Sequence, residues 1–133
     1  MTKQKILKST TVKEIDQTIN LKNSIIEGLQ EKKAQEIVTL DLAGIENTIT
    51  SYFIICHAES KTHVQAIADS VMEMTYKLSG QDPHHKEGME NAEWILLDYF
   101  DIIVHIFIKE KREFYRLETL WGDANIQTMA GNY

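Results

Sequence analysis

The last third of the chain constrains its fold more tightly than any other stretch. Two apolar, β-branched runs, Trp94-Ile95-Leu96-Leu97 and Ile102-Ile103-Val104-His105-Ile106-Phe107-Ile108, are separated by the four residues Asp98-Tyr99-Phe100-Asp101. Runs of strand length joined by so short an interruption predict a β-hairpin. The second run has almost no polar break, which predicts a central strand covered on both faces. Tyr99 and Phe100 then fall at the hairpin tip, where side chains are expected to be exposed. An exposed aromatic pair rimmed by Asp98 and Asp101 suits a docking surface better than a catalytic pocket.

The remaining sequence supplies the elements such a hairpin packs against. Thr11-Val12-Lys13-Glu14 fits a helix capping box, and Val12, Ile15, Ile19, Ile26 and Leu29 continue at helical spacing. This predicts one amphipathic helix, or two with a break near Asn20, after a loosely ordered stretch 1–10. Gln35–Leu42 and Ser51–His57 read as strands, joined by the Gly- and Asn-bearing connection 43–50. Ser60 caps the next helix, whose apolar positions are Val64, Ile67, Ala68, Val71, Met74 and Leu78; Gly80 and Asp82-Pro83 end it. Residues 80–92 read as a polar loop. Glu110–Trp121 reads as a last helix with Phe114, Leu117 and Trp121 on one side and Tyr115 packed in the core, and the tail from Gly122 is polar. The order helix, strand, strand, helix, strand, strand, helix predicts a single small α/β domain with a mixed β-sheet flanked by helices. A length of 133 residues suits one domain.

Charge and composition exclude several classes of function. Fourteen basic against twenty acidic residues give a net charge of −6, which argues against a broad grip on nucleic-acid phosphates. A single cysteine, Cys56, cannot form an intrachain disulfide and reads as a buried thiol in a reducing, cytoplasmic setting. No apolar stretch approaches the roughly 18 residues that span a bilayer, and no leader pattern stands at the start. Asp98 and Asp101 are the obvious acids for metal-assisted phosphate chemistry. They stand at opposite ends of a turn, with no Gly-Ser turn before them, so neither catalysis nor a metal or cofactor is expected. His84-His85 reads as a solvated loop, and neither it nor the His57 and His63 pair has a metal-ligand spacing. His105 reads as a hydrogen-bonded histidine of the sheet. Lys109, Lys111 and Arg112 would suit RNA phosphate, but interleaved Glu110 and Glu113 favour a solvated helix face.

Trp94 admits two roles. Composition favours a core aromatic, whereas strand parity places Trp94 with Leu96 and Asp98 on a face that opens toward solvent, leaving Ile95, Leu97 and Tyr99 on the other. Gly88 suits a turn with positive φ, and Glu87 beside it suits a basic partner.

The hairpin also carries a family resemblance. Trp94-x-Leu96-Leu97-Asp98-Tyr99-x-Asp101, Val104-His105-x-Phe107 and Arg112-Glu113-Phe114-Tyr115-x-Leu117-Glu118-x-Leu120-Trp121 resemble the Iojap, or ribosomal silencing factor, family. Upstream the likeness runs through Asp41-Leu42, Ser51 to Cys56, Ser60, Ala66 to Asp69, and Glu87-Gly88. It covers residues 21–124, which leaves 1–20 as a polar, partly helical extension and 125–133 as a short tail. The resemblance implies a fold similar to the nucleotidyltransferase superfamily and a non-enzymatic binder of the large ribosomal subunit. Its partner would be ribosomal protein fourteen of that subunit, with a minor contact to ribosomal RNA, and occupying that surface would block small-subunit joining when nutrients are scarce. The contact residues implied are Trp94, Asp98, Tyr99, Phe100, Asp101 and Glu87, and a homodimer is expected in isolation. The family often has glycine where Phe100 stands here. An assembly factor of the large subunit and a metal-dependent nucleotidyltransferase-like enzyme are the alternatives.

Overall fold

The computed structural model describes residues 12–42, 45 and 50–120, and the backbone of 125–128. Its elements are α1 (Val12–Glu31), β1 (Gln35–Asp41), β2 (Tyr52–Ala58), α2 (Lys61–Ser79), β3 (His85–Glu87), β4 (Trp94–Asp98), β5 (Ile102–Ile108), α3 (Lys109–Tyr115), α4 (Leu117–Leu120) and β6 (Asn125–Thr128). The strands form one mixed sheet in the order β3-β4-β5-β2-β1-β6. The β4–β5 hairpin is antiparallel, and β5 pairs in parallel with β2. The expected central strand is therefore found, with β5 flanked on both edges and Val104 through Phe107 buried.

The two faces of the sheet are covered unequally. On one, Ile54, Cys56, Ile95, Leu97, Ile102, Val104 and Ile106 pack against Leu21, Ile25 and Leu29 of α1 and Val64, Ile67 and Val71 of α2. Burial pushes the Cys56 thiol up to about 12, so it is an inert packing group. The helices are antiparallel and touch closely: Ser70 Oγ donates to Gly28 O at 2.8 Å, and a Cβ on Gly28 would lie 2.7 Å from Val71 Cα. The other face holds a smaller cluster, Val38, Leu40, Leu42, Ile55, Phe107 and Leu117, with Phe53 and Trp94 at its margin. Among the described residues only the short α3 and α4 reach it.

Ser60 caps α2 by accepting the His63 N–H, and Gly80 ends it at φ 66, as the sequence predicts. α1 runs unbroken through Asn20. Other expectations are corrected. Within the stretch read as a polar loop, His85–Glu87 pairs with β4 as an edge strand, and residues 125–128 of the tail pair with β1. Strand pairing is made by backbone, so it does not require an apolar sequence at a sheet edge. The last helix breaks at Arg116 (φ 48), and Phe114 and Tyr115 are exposed while Leu117 is buried. Val12, Ile15 and Ile19 are exposed on α1, and Leu78 on α2. Thr11, residues 1–10 and Trp121 lie outside the described residues. No helix among the described residues is long and apolar enough to cross a membrane.

Candidate docking face

Strand parity sorts the hairpin's side chains. Trp94 lies opposite Phe107, Leu96 opposite His105 and Asp98 opposite Ile103, all on the incompletely covered face. β3 adds Glu87 opposite Leu96 and His85 opposite Asp98 on that same face. Trp94, Leu96, Asp98, Ile103 and Phe53 are each half-buried, and Glu87 is exposed with its carboxylate 2.7 Å from His85 Nε2. The fold thus gathers Trp94, Asp98 and Glu87 of the expected contact residues onto one surface, with Phe100 and Asp101 exposed at its tip.

The floor of this face is aromatic. The Trp94 ring stacks on Phe107 at 4.8 Å between centroids and meets Tyr115 at 4.9 Å, while Phe53 meets His105 edge-on at 4.8 Å. Both roles weighed for Trp94 are therefore realised in one residue. Its indole N–H donates to His105 Nδ1 at 3.1 Å. An indole nitrogen only donates, so His105 carries its proton on Nε2, which is buried with no partner among the described residues. Burial lowers the His105 pKa to about 3. The imidazole is thus a neutral, apolar-packed member of the platform.

Tyr99 is a correction. It is only 2% exposed, lies in the helix-side cluster and shares a 2.9 Å hydrogen bond with Thr75 of α2. Burial pushes its hydroxyl up to about 12. The turn is tighter than the sequence suggested: Tyr99 N donates to Ile102 O at 2.8 Å, so only Phe100 and Asp101 form the tip. Tyr99 continues the alternation of Ile95 and Leu97 and is not available as a surface anchor. That parity was legible in the sequence.

Phe100 is 61% exposed and adopts φ +80, a conformation that favours glycine. Asp98 Oδ1 holds it there by accepting the Phe100 N–H at 2.7 Å. Because left-handed geometry costs a residue with a Cβ about 1–2 kcal/mol, Phe100→Gly is expected to be more stable than Phe100→Ala by about that amount in urea unfolding. Equal stabilities would show that the turn relaxes once the ring is removed.

Arg112 is the residue that sequence reasoning misjudged most. Far from lying on a solvated face, it is 8% exposed. Its guanidinium donates to Glu118 Oε2 at 2.7 and 3.0 Å, to Glu36 O at 2.7 Å and to His57 Nδ1 at 3.0 Å. It therefore ties α3 and α4 to β1 and β2 and holds Tyr115 against Trp94. Desolvation and the neighbouring guanidinium both lower the His57 pKa. Lys111, by contrast, reaches solvent and shares Glu93 with Lys61, at 3.7 and 3.6 Å. Among the described residues no group of three or more His, Cys, Asp or Glu is placed to hold a metal ion.

A family model described as ribosomal silencing factor during starvation matches residues 15–132. The chain belongs to the ribosomal silencing factor family. It is 39% identical over 106 residues to a ribosomal silencing factor of Halalkalibacterium halodurans, covering 80% of this chain and 89% of the relative. A crystal structure of a Chromobacterium violaceum protein superposes with a TM-score of 0.72 at 31% identity, covering 77% of this chain and 83% of that one. The chloroplast protein Iojap of Zea mays is 31% identical over 104 residues, with 76% of this chain and 43% of the relative covered. A mouse protein named for mitochondrial assembly of the ribosomal large subunit is 30% identical over 95 residues, with 70% and 41% covered.

Proposed function

We propose that this silencing factor acts in the cytoplasm by docking its open sheet face on the large ribosomal subunit, through ribosomal protein fourteen, so that the small subunit is sterically kept from joining. The observation carrying this reading is a half-covered aromatic face on a member of this family. An exposed aromatic surface bordered by charge is what a protein interface needs. Trp94, Leu96 and Phe100 supply apolar contact, and Asp98, Asp101 and Glu87 suit a basic protein at the rim. A minor contact to ribosomal RNA falls to the exposed lysines. The mechanism is occupancy of one surface and needs no enzymatic step, metal or cofactor. In isolation the factor forms a homodimer. A role in large-subunit assembly is the second reading, favoured by the name of the mouse relative; the same surface would serve it.

Removing a buried interface aromatic commonly costs about 2 kcal/mol, or roughly thirtyfold in affinity. Trp94→Ala is expected to lose that much in co-sedimentation with purified large subunits and to restore subunit joining. Trp94 also supports the platform, so Phe100→Ala, which touches no core cluster, serves as the independent variant. Glu73→Lys on α2 is the control expected to bind normally. Wild-type binding by both folded aromatic variants places the contact elsewhere on the molecule.

A further inference from the structure

The Trp94 indole is steadied from two directions. Within the sheet, Phe107 stacks beneath it and His105 Nδ1 accepts its N–H, both from the adjoining β5. From outside the sheet comes Tyr115, the last residue of α3, tilted against the indole at 4.9 Å. Tyr115 is 43% exposed, so it is not the core residue its spacing predicts, and its ring continues the Trp94 surface outward. Tyrosine brings a large, stiff contact area with a polar tip, which is what protein interfaces use.

α3 cannot hold Tyr115 there by itself. It is 7 residues long, Ile108 gives it no side-chain cap, and Arg116 ends it at φ 48. Helices that short do not persist in water without a tertiary anchor. The anchor is Arg112, the buried side chain of α3. Three other elements meet its fork: α4 through the Glu118 carboxylate, β2 through the His57 ring and β1 through the Glu36 carbonyl. β1 is distorted where it makes that contact, with its register shifted between Gln35 and Val38 and Glu36 at φ 46. A buried ion pair adds little net stability once desolvation is counted. Several bonds spread over a planar fork do fix direction, which a flexible ammonium cannot do.

We propose that Arg112 is the positioning residue of the docking face: it holds α3 so that Tyr115 braces Trp94, and Tyr115 is itself a contact with the large subunit. This rests on the docking reading above and deepens it, since the partner is the same and the footprint gains a residue from α3.

A double-mutant cycle on the full chain with purified large subunits tests it, because a residue that acts through another loses its effect once the other is gone. Tyr115→Ala is expected to weaken co-sedimentation about tenfold. Arg112→Lys keeps the charge but not the fork, and is expected to weaken binding by a similar factor. The double variant is expected to bind no worse than Tyr115→Ala alone, although its thermal melt carries both losses. Glu118→Gln loosens the same anchor more gently and runs the same cycle if Arg112→Lys does not fold. An equal further loss of binding in the Tyr115→Ala background overturns the proposal, since it shows that Arg112 only supports the fold. Wild-type binding by folded Tyr115→Ala, or by folded anchor variants, overturns it as well. If that happens while Trp94→Ala and Phe100→Ala still lose binding, the α3 extension fails and the sheet-face reading stands. If all of these variants bind normally, both fail.

Discussion

Gly88→Ala is expected to destabilise the protein by about 2–5 kcal/mol, beyond what its backbone conformation alone costs. Gly88 adopts φ +78 in the turn between β3 and β4, and a Cβ there would lie 2.1 Å from Trp94 O and 3.0 Å from Trp94 C. Left-handed geometry costs a residue with a Cβ about 1–2 kcal/mol. The collision adds a forced backbone displacement of the overpacking kind, about 1–3 kcal/mol. Gly80 separates the two contributions. It sits at φ +66, and a Cβ placed on it would meet nothing within 4 Å, so Gly80→Ala carries the conformational cost only. Urea unfolding of both variants should show Gly88→Ala the worse by about 2 kcal/mol. Equal losses would mean that β4 moves aside freely. Because the displaced atoms belong to Trp94, Gly88→Ala is also expected to weaken large-subunit binding.

Acidification is expected to destabilise the protein through the docking face. His105 has a folded pKa of about 3, held down by burial, against about 6.5 in an unfolded chain. Between those values the unfolded state binds a proton that the folded state refuses. Stability is therefore full above about pH 6.5 and falls by about 1.4 kcal/mol per pH unit below it. From pH 6.5 to 4.5 this amounts to about 2.7 kcal/mol, a large share of an ordinary domain's 5–15 kcal/mol. His57, whose pKa is also lowered, adds to the loss in the same direction. His105→Gln removes the titrating group while offering an oxygen to the Trp94 N–H. It should be less stable at neutral pH, yet its stability should vary less with pH between 6.5 and 5, where carboxylates contribute little. A slope as steep as the parent's would show that His105 is not held neutral by the fold.

The local grammar of the chain reached far into this structure. The β4–β5 hairpin, the central position of β5, the Ser60 and Gly80 caps of α2 and the positive φ at Gly88 follow from interactions a few residues long, namely strand alternation, side-chain capping and the freedom of glycine. The motif residues around Trp94 likewise pointed to the family from sequence alone. The docking surface was legible only in part. Parity placed Trp94, Leu96 and Asp98 together, but the same parity was overruled in expectation at Tyr99 by the general exposure of hairpin tips. The tertiary structure reversed that, because α2 brings Thr75 to within hydrogen-bond distance of the Tyr99 hydroxyl.

What lay beyond the sequence shares one cause. Arg112 looks like any lysine-flanked helix cation until Glu36 O, His57 and Glu118 converge on it from β1, β2 and α4. Ile15 and Ile19 carry the same apolar signal as Leu29, yet only Leu29 has α2 and the sheet beside it. β3 and β6 are polar segments made into strands by neighbours offering free backbone groups. Periodicity and caps state what a segment prefers within itself. Which face is covered, which charge is enclosed and which edge is extended depend on elements tens of residues away, so those outcomes were decided only by packing in three dimensions.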